Sequence, residues 1–227
     1  IKNNVLGTQN VAEAAVRHSA KRFIMISTDK AINPANVMGA SKRIAEKVIQ
    51  SIARTSTETR FAIVRFGNVL ASRGSVIILF QKQILWGGPV TVTHPEATRY
   101  FMSIPEAVKL VIQAGAIGSQ ADIFALNMGE PIRMVDVARN LINLAGLELN
   151  RDIEIQYTGL RPGEKLIEES VTMGEGIQIT EYHDLFRLPT QKPPSPDFIQ
   201  QIDQLAMNIQ ECMDPAKVLD ELNRLAD

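Results

Sequence analysis

The 227 residues carry 24 basic and 25 acidic side chains, a net charge of −1, and 45% of them are hydrophobic. That is enough apolar material for one or two globular domains, and the even charge offers no basic surface to nucleic acid and no charged tail. A single cysteine, Cys212, excludes a disulfide framework and a cysteine-based zinc site, while His18, His94 and His183 lie too far apart for metal-ligand spacing, so no metal is expected.

The chain opens at Ile1 inside a helix-like stretch, which points to further sequence upstream. Val5, Val11, Ala12, Ala15 and Val16 recur near helical spacing, predicting an amphipathic helix over residues 1–19. The short apolar run 22–27 (RFIMIS) reads as a strand buried on both faces of a parallel sheet. A turn with Asn33, Pro34 and Asn36 leads into helical periodicity over 38–54, and 61–66 (FAIVRF) is a second buried strand. A helix is predicted over 75–86, then a Gly-Gly-Pro turn and a short strand, VTVTH. Ser103 and Pro105 cap a helix running to about Ala116, and 122–127 (DIFALN) returns to the main sheet as a strand. A helix over 134–146 and a strand in IEIQYTG follow. Residues 173–196 read as loop, and 197–226 as helices lying beyond the active unit.

This alternation predicts an α/β fold with a doubly wound, Rossmann-type parallel sheet. The expected domains are residues 1–86, the second half of a cofactor-binding domain carrying the catalytic segment; 87–172, a smaller α/β lobe for substrate; and 173–227, a loop and helical extension. Ligands of such sheets sit beyond the carboxyl ends of the strands. STDKAINP and GNVLASRGS leave those ends here.

Within the first of these, Thr28, Asp29 and Lys30 follow a strand, while Met38 and Lys42 stand four residues apart on one face of the next helix. A hydroxyl, a carboxylic acid and two amines meeting there could orient a sugar hydroxyl, protonate a leaving group and remove a proton. On spacing alone, a solvated turn pair and an exposed helix lysine explain the same residues equally well.

STDKAINPANVMGASKRIAE closely resembles the active-site segment of the bacterial polysaccharide-biosynthesis dehydratases, extended short-chain dehydrogenase/reductases that convert UDP-N-acetylglucosamine to a 4-keto-6-deoxy sugar. RFGNVLASRGSVIILFQKQI, VTHPEATRYFMSIPEAVKLV and LRPGEKLIEE continue the likeness through about residue 170. The resemblance implies that Thr28 hydrogen-bonds the sugar C4 oxygen, Asp29 protonates the departing C6 hydroxyl and Lys30 takes the C5 proton. It also implies NAD, rather than NADP, as cofactor, with Ser27 and Lys42 at the nicotinamide side. The wider superfamily has tyrosine where this chain has Met38, and a thioether exchanges no proton. The large, membrane-anchored branch of the family resembles this chain in carrying methionine there. Either the chain is inactive or the C4 proton leaves by Thr28, Asp29 or a water; Asn36 could hold such a water or serve only as a turn residue.

For the UDP-sugar, Asn68 resembles the family's asparagine near the diphosphate, and Ser72, Gly74 and Ser75 form a loop before a helix, where free N–H groups attract phosphate. Arg99 and Arg161 resemble two arginines that clamp the diphosphate, which suits their planar forks. Glu164 resembles the acid that binds the uridine ribose. Phe101, Met102 and His94 are assigned to structure.

The family's glycine-rich NAD-binding turn is absent from the sequence and is expected upstream of Ile1, leaving a sheet edge for upstream strands to cover. The chain by itself is therefore expected to bind NAD poorly. No apolar run approaches the ~20 residues of a membrane span, so the expected location is the cytoplasm, or the cytoplasmic face of the inner membrane if upstream helices anchor it. A homo-oligomer is compatible with the scaffold. Two other functions stay open: a related epimerase, against which Asp29–Lys30 argues, and a non-catalytic nucleotide-sugar-binding or regulatory protein.

Overall fold

A computed structural model describes residues 1–72, 74–168, 176–189, 193–210 and 214–227. The chain enters through a π-helical turn (Lys2–Leu6) into helix α1 (Gly7–Arg17), followed by strand β1 (Arg22–Thr28), helix α2 (Val37–Thr55) and strand β2 (Arg60–Phe66). Next come β3 (Asn68–Val69), α3 (Val76–Leu85), β4 (Val90–Val92), β5 (Thr98–Arg99) and β6 (Phe101–Met102). Helix α4 (Ile104–Ile117), β7 (Asp122–Leu126), β8 (Ile132–Arg133), α5 (Met134–Leu144) and β9 (Ile155–Tyr157) follow. The final elements are β10 (Gln178–Ile179), β11 (Leu185–Arg187), α6 (Phe198–Gln210) and α7 (Pro215–Ala226).

These elements form two compact units, residues 1–66, 109–127 and 171–227 in the first, and 67–108 and 128–170 in the second. The division differs from the one expected. Helix α3 belongs to the second unit, and the C-terminal helices belong to the first.

The first unit is built on a sheet of order β1-β2-β7-β11-β10. The strongly apolar runs of β1, β2 and β7 pair in parallel, with Thr28 abreast of Phe66 and Arg65 abreast of Ala125. On one face, α1 and α2 bury Ala12, Ile44, Val48 and Ile49 against Met25, Phe61 and Ile63. On the other, Gly115 and Gly118 leave room for Ile24 and Ala62, so the helical segment ending in α4 lies close to the strands. This is the doubly wound Rossmann-type α/β class.

Three expectations need correction. The sheet is mixed, because β11 joins β7 antiparallel and β10 joins β11 antiparallel, within the stretch 173–196 read as loop. Strands of two and three residues are too short to leave a periodic trace; residues 173–175 and 190–192 of that stretch lie outside the described residues. Helices α6 and α7 are part of the core, where Phe198, Ile202, Leu205, Leu222 and Leu225 join the residues of α1 and α2. Finally, β1 is not buried on both faces among the described residues: Met25 and Ser27 are buried, but Ile26 is 51% exposed.

The second unit holds three two-stranded pairs, parallel β3–β6 and β4–β9 and antiparallel β5–β8. Its apolar centre joins α3 (Phe80, Ile84) to β4 (Val90, Val92) and α5 (Met134, Ile142), with Ile153 beside them. Met102 is buried and Phe101 packs on this cluster.

Candidate active site

At the carboxyl end of β1 the chain turns sharply. Thr28 keeps extended backbone, and its hydroxyl oxygen accepts from the Lys30 N–H (3.4 Å), capping a single 3-10 turn, Asp29–Ala31. That turn folds three successive side chains together. Asp29 Oδ1 accepts from the Thr28 hydroxyl (2.9 Å) and from Lys30 Nζ (3.0 Å). Asp29 Oδ2 is buried and has no hydrogen-bond partner among the described residues. The result is a continuous chain from the Thr28 hydroxyl through the Asp29 carboxyl group to Lys30 Nζ, with one carboxyl oxygen left over. The bland alternative of a solvated turn pair does not describe it, because Asp29 is only 9% exposed.

Helix α2 is held against this turn at several points. Asn36 is its N-cap, with Oδ1 accepting from the Gly39 N–H at 2.9 Å. Glycine at position 39 permits this approach, since a Cβ would meet the Lys30 carbonyl oxygen. One turn on, Lys42 Nζ donates to the Ile26 carbonyl at 3.2 Å. Burial holds the Lys42 ammonium below its ordinary value, and the nearby Glu46 carboxylate opposes that shift. Met38 is 43% exposed in the first turn of α2, its carbonyl accepting from the Ser41 hydroxyl.

Ser27, expected at the cofactor, instead turns its hydroxyl inward, because strand alternation places it on the α2 side of β1. It donates to Glu46 Oε1 at 2.6 Å. Glu46 is 0% exposed and accepts both Nε and Nη2 of Arg65, with Arg43 Nη1 at 3.4 Å. Sequence reasoning missed Glu46 and Arg65 altogether.

In the second unit, Arg99, Arg161 and Glu164 do come together. Arg99 Nη2 donates to Glu164 Oε1 at 2.7 Å, and the Arg161 N–H donates to Glu164 Oε2 at 3.2 Å. Thr93 donates to the same carboxylate at 2.9 Å, and Arg99 Nε lies 3.5 Å from the buried Glu168, a second partner that sequence reasoning did not find. Arg99 is thus held between two carboxylates, while the Arg161 side chain is exposed. Asn68 pairs with Phe101 in β3–β6, so its backbone is extended and not left-handed; its N–H donates to the Tyr100 carbonyl. Ser75 caps α3 through the Ile77 N–H (3.4 Å), and His94 Nδ1 accepts from the Glu96 N–H, a structural role.

A doubly wound α/β sheet, with Thr28-Asp29-Lys30 at the end of one of its three parallel strands and a lysine-bearing helix behind it, is an arrangement of the extended short-chain dehydrogenase/reductase kind. Residues 1–190 match the polysaccharide biosynthesis protein family, to which the chain belongs. It is 57% identical over 187 residues to the capsular polysaccharide biosynthesis protein CapD of Staphylococcus aureus, covering 82% of this chain and 31% of that protein. A UDP-glucose 4-epimerase of Rickettsia rickettsii is 41% identical over 192 residues, covering 83% of this chain and 54% of its own. The chain therefore spans under a third of CapD and about half of the epimerase. Among solved structures, Pen from Bacillus thuringiensis superposes with a TM-score of 0.73 at 36% identity, covering 91% of this chain and 68% of that one. The dTDP-glucose 4,6-dehydratase of Bacillus anthracis in complex with NAD shares the fold at 16% identity, with a TM-score of 0.61 and coverage of 71% and 57%. Among the described residues no cluster of His, Cys, Asp and Glu could hold a metal, and no helix is long and apolar enough to cross a membrane.

Proposed function

We propose that this chain carries the catalytic segment of an NAD-dependent 4,6-dehydratase acting on a UDP-N-acetylhexosamine, UDP-N-acetylglucosamine in the first instance. The observation that carries the proposal is the Thr28–Asp29–Lys30 chain with its unpartnered Asp29 Oδ2. A residue set for C4 oxidation alone needs one proton acceptor; a hydroxyl, an acid and an amine in contact suit the removal of water as well.

The residues present fit NAD. Ile26 leaves apolar surface exposed near the carboxyl end of β1, and Lys42 Nζ reaches its carbonyl there, a setting suited to a flat ring and a ribose hydroxyl. NAD, held beside Lys42 and Ile26, would supply the hydride chemistry: an acceptor for the C4 hydride and a donor of it to C6. Thr28 orients the C4 hydroxyl and passes its proton to Asp29 Oδ1, a route that needs no tyrosine at Met38. Lys30 Nζ is the base that removes the C5 proton. Asp29, now protonated, gives its proton to the C6 hydroxyl, which departs as water. Lys30 then returns its proton to C5, and both side chains are back in their starting states. In the second unit, Arg99 and Arg161 are the proposed holders of the diphosphate and Glu164 of the ribose, with Asn68 and Ser75 as further candidates.

The second reading is a 4-epimerase, favoured by the identity to the Rickettsia protein of that name. One experiment separates the two. The protein expressed from its complete reading frame is incubated with NAD and UDP-N-acetylglucosamine and its products are weighed by mass spectrometry. A nucleotide sugar lighter by one water, absent with Lys30→Ala, is expected. A product of unchanged mass and inverted C4 would replace dehydration with epimerisation.

A further inference from the structure

The proton-handling residues of the proposed site do not explain a charged cluster directly behind them. Glu46, Arg65 and Ser27 are all buried, and buried charges are costly unless fully paired. Here the pairing is complete on both carboxylate oxygens. Oε1 accepts from the Ser27 hydroxyl and Arg65 Nε, at 2.6 and 2.7 Å. Oε2 accepts from Arg65 Nη2 and Arg43 Nη1. Ser27 and Arg65 are also direct partners in the β1–β2 register, one pair before the strands end at Thr28 and Phe66. A single carboxylate on α2 thus fixes the register of both strands just short of the site.

Glu46 stands one helical turn after Lys42, and the two grip consecutive residues of β1. Lys42 takes the Ile26 carbonyl, and Glu46 takes the Ser27 hydroxyl. Gly39, three residues before Lys42, rests against the Lys30 carbonyl. Successive turns of α2 therefore touch the strand and the turn that together present Thr28, Asp29 and Lys30.

We propose that Glu46 is a positioning residue for this site: through Ser27 it locks the end of β1 onto α2, so that Lys42 stays on the Ile26 carbonyl and the Thr28–Asp29–Lys30 turn leaves the sheet at one fixed place. The proposal rests on the dehydratase reading for its kinetic consequence but not for its structural one. Removing Glu46 itself would strand Arg65 in the interior, so the test deletes only the hydroxyl.

The experiment compares wild type, Ser27→Ala and Ser27→Thr in the protein expressed from its complete reading frame, with two readouts. The first is turnover of UDP-N-acetylglucosamine with NAD. Ser27→Ala should lower kcat tenfold or more and leave KM for the UDP-sugar within twofold, and Ser27→Thr should restore most of kcat. The second is competitive acetylation by acetic anhydride, read at Lys42 by peptide mass spectrometry. Ser27→Ala should raise Lys42 labelling at least threefold, and Ser27→Thr should return it to the wild-type level. If wild type forms no product yet the labelling follows this pattern, the lock stands and the dehydratase reading falls. If wild type turns over and Ser27→Ala leaves both kcat and Lys42 labelling unchanged, the lock is overturned and the dehydratase reading survives. Equal losses in Ser27→Ala and Ser27→Thr also overturn it, because the hydroxyl would not be what matters.

Discussion

Gly39→Ala tests whether the first turn of α2 sets the place of Lys30. The added Cβ would press on the Lys30 carbonyl oxygen and lie 3.1 Å from Pro34 Cβ, and neither neighbour is the loose end of a flexible side chain. Overpacking of this kind costs about 1–3 kcal/mol. Alanine's helix propensity returns up to about 1 kcal/mol in a helix interior and less in a first turn. With about half of that return in a first turn, the balance is a loss of about 0.5–2.5 kcal/mol, and at about 2–4 °C per kcal/mol for a chain of this size the melting temperature falls by about 1–10 °C. Activity should suffer more than stability. Relief of the clash displaces the Lys30 backbone, and a shift of about 1 Å in a reacting group costs about a hundredfold in rate. Differential scanning fluorimetry and initial rates of water loss from UDP-N-acetylglucosamine measure the two effects. Gly7→Ala is the control: its backbone is right-handed helical and the nearest atom to a new Cβ is 3.7 Å away, so it should stabilise by up to about 1 kcal/mol. If Gly39→Ala melts as high as Gly7→Ala and keeps its rate, the close approach of α2 to the Lys30 turn has been misjudged.

Thr28→Val keeps shape and removes the hydroxyl that links substrate to Asp29, so kcat should drop by about 10²-fold or more, with UDP-sugar affinity by calorimetry little changed. Glu46→Leu should destabilise by about 3–5 kcal/mol in urea unfolding, because Arg65 is left charged and unpaired in the interior. The double change Glu46→Leu/Arg65→Leu should recover most of that loss, and two additive single effects would show that the pair is not coupled. For pH, burial holds the folded-state Lys42 below 10.5, so between that lowered value and 10.5 the unfolded chain binds more protons than the folded one. Unfolding free energy therefore gains with rising pH across that window, and Lys42→Met should flatten the slope in urea melts taken there; an unchanged slope would mean Lys42 is not desolvated.

Much of the first unit was legible because its signals are local. The unbroken apolar runs of β1 and β2 and the 3.6-residue stripe of α2 fix the positions of Thr28, Asp29 and Lys42. What escaped was set by partners distant in the chain. Arg65 sits in FAIVRF like any polar residue at a strand end, and nothing local reveals that Glu46, nineteen residues away, neutralises it. Resemblance sets Ser27 at the cofactor, because the alternation that turns it inward becomes decisive only once Glu46 is there to receive it. The sequence offers Asn36 as a holder of water or substrate or as a turn residue, although Asn at a helix start is also a cap signal. In the second unit, Arg99, Arg161 and Glu164 were found through resemblance, but Glu168 shows that Arg99 is already engaged by carboxylates. The antiparallel pair β10–β11 depends on β7 as a template, and its own five residues carry no pattern.

The packing of α6 and α7 has a practical consequence. The family match ends at residue 190, yet Phe198, Ile202, Leu205, Leu222 and Leu225 complete the same apolar cluster as Ile44, Val48 and Ile49. Lys47 also donates to the Leu225 carbonyl at 3.0 Å, and Gln9 to Asp203 at 3.2 Å, fastening the tail to the helices that open the chain. The stretch shared most widely with relatives and the stretch that folds are thus different lengths. A protein trimmed to the shared stretch would uncover an oily flank on α2, the helix that carries Lys42, and should precipitate or misfold even with every proposed site residue intact.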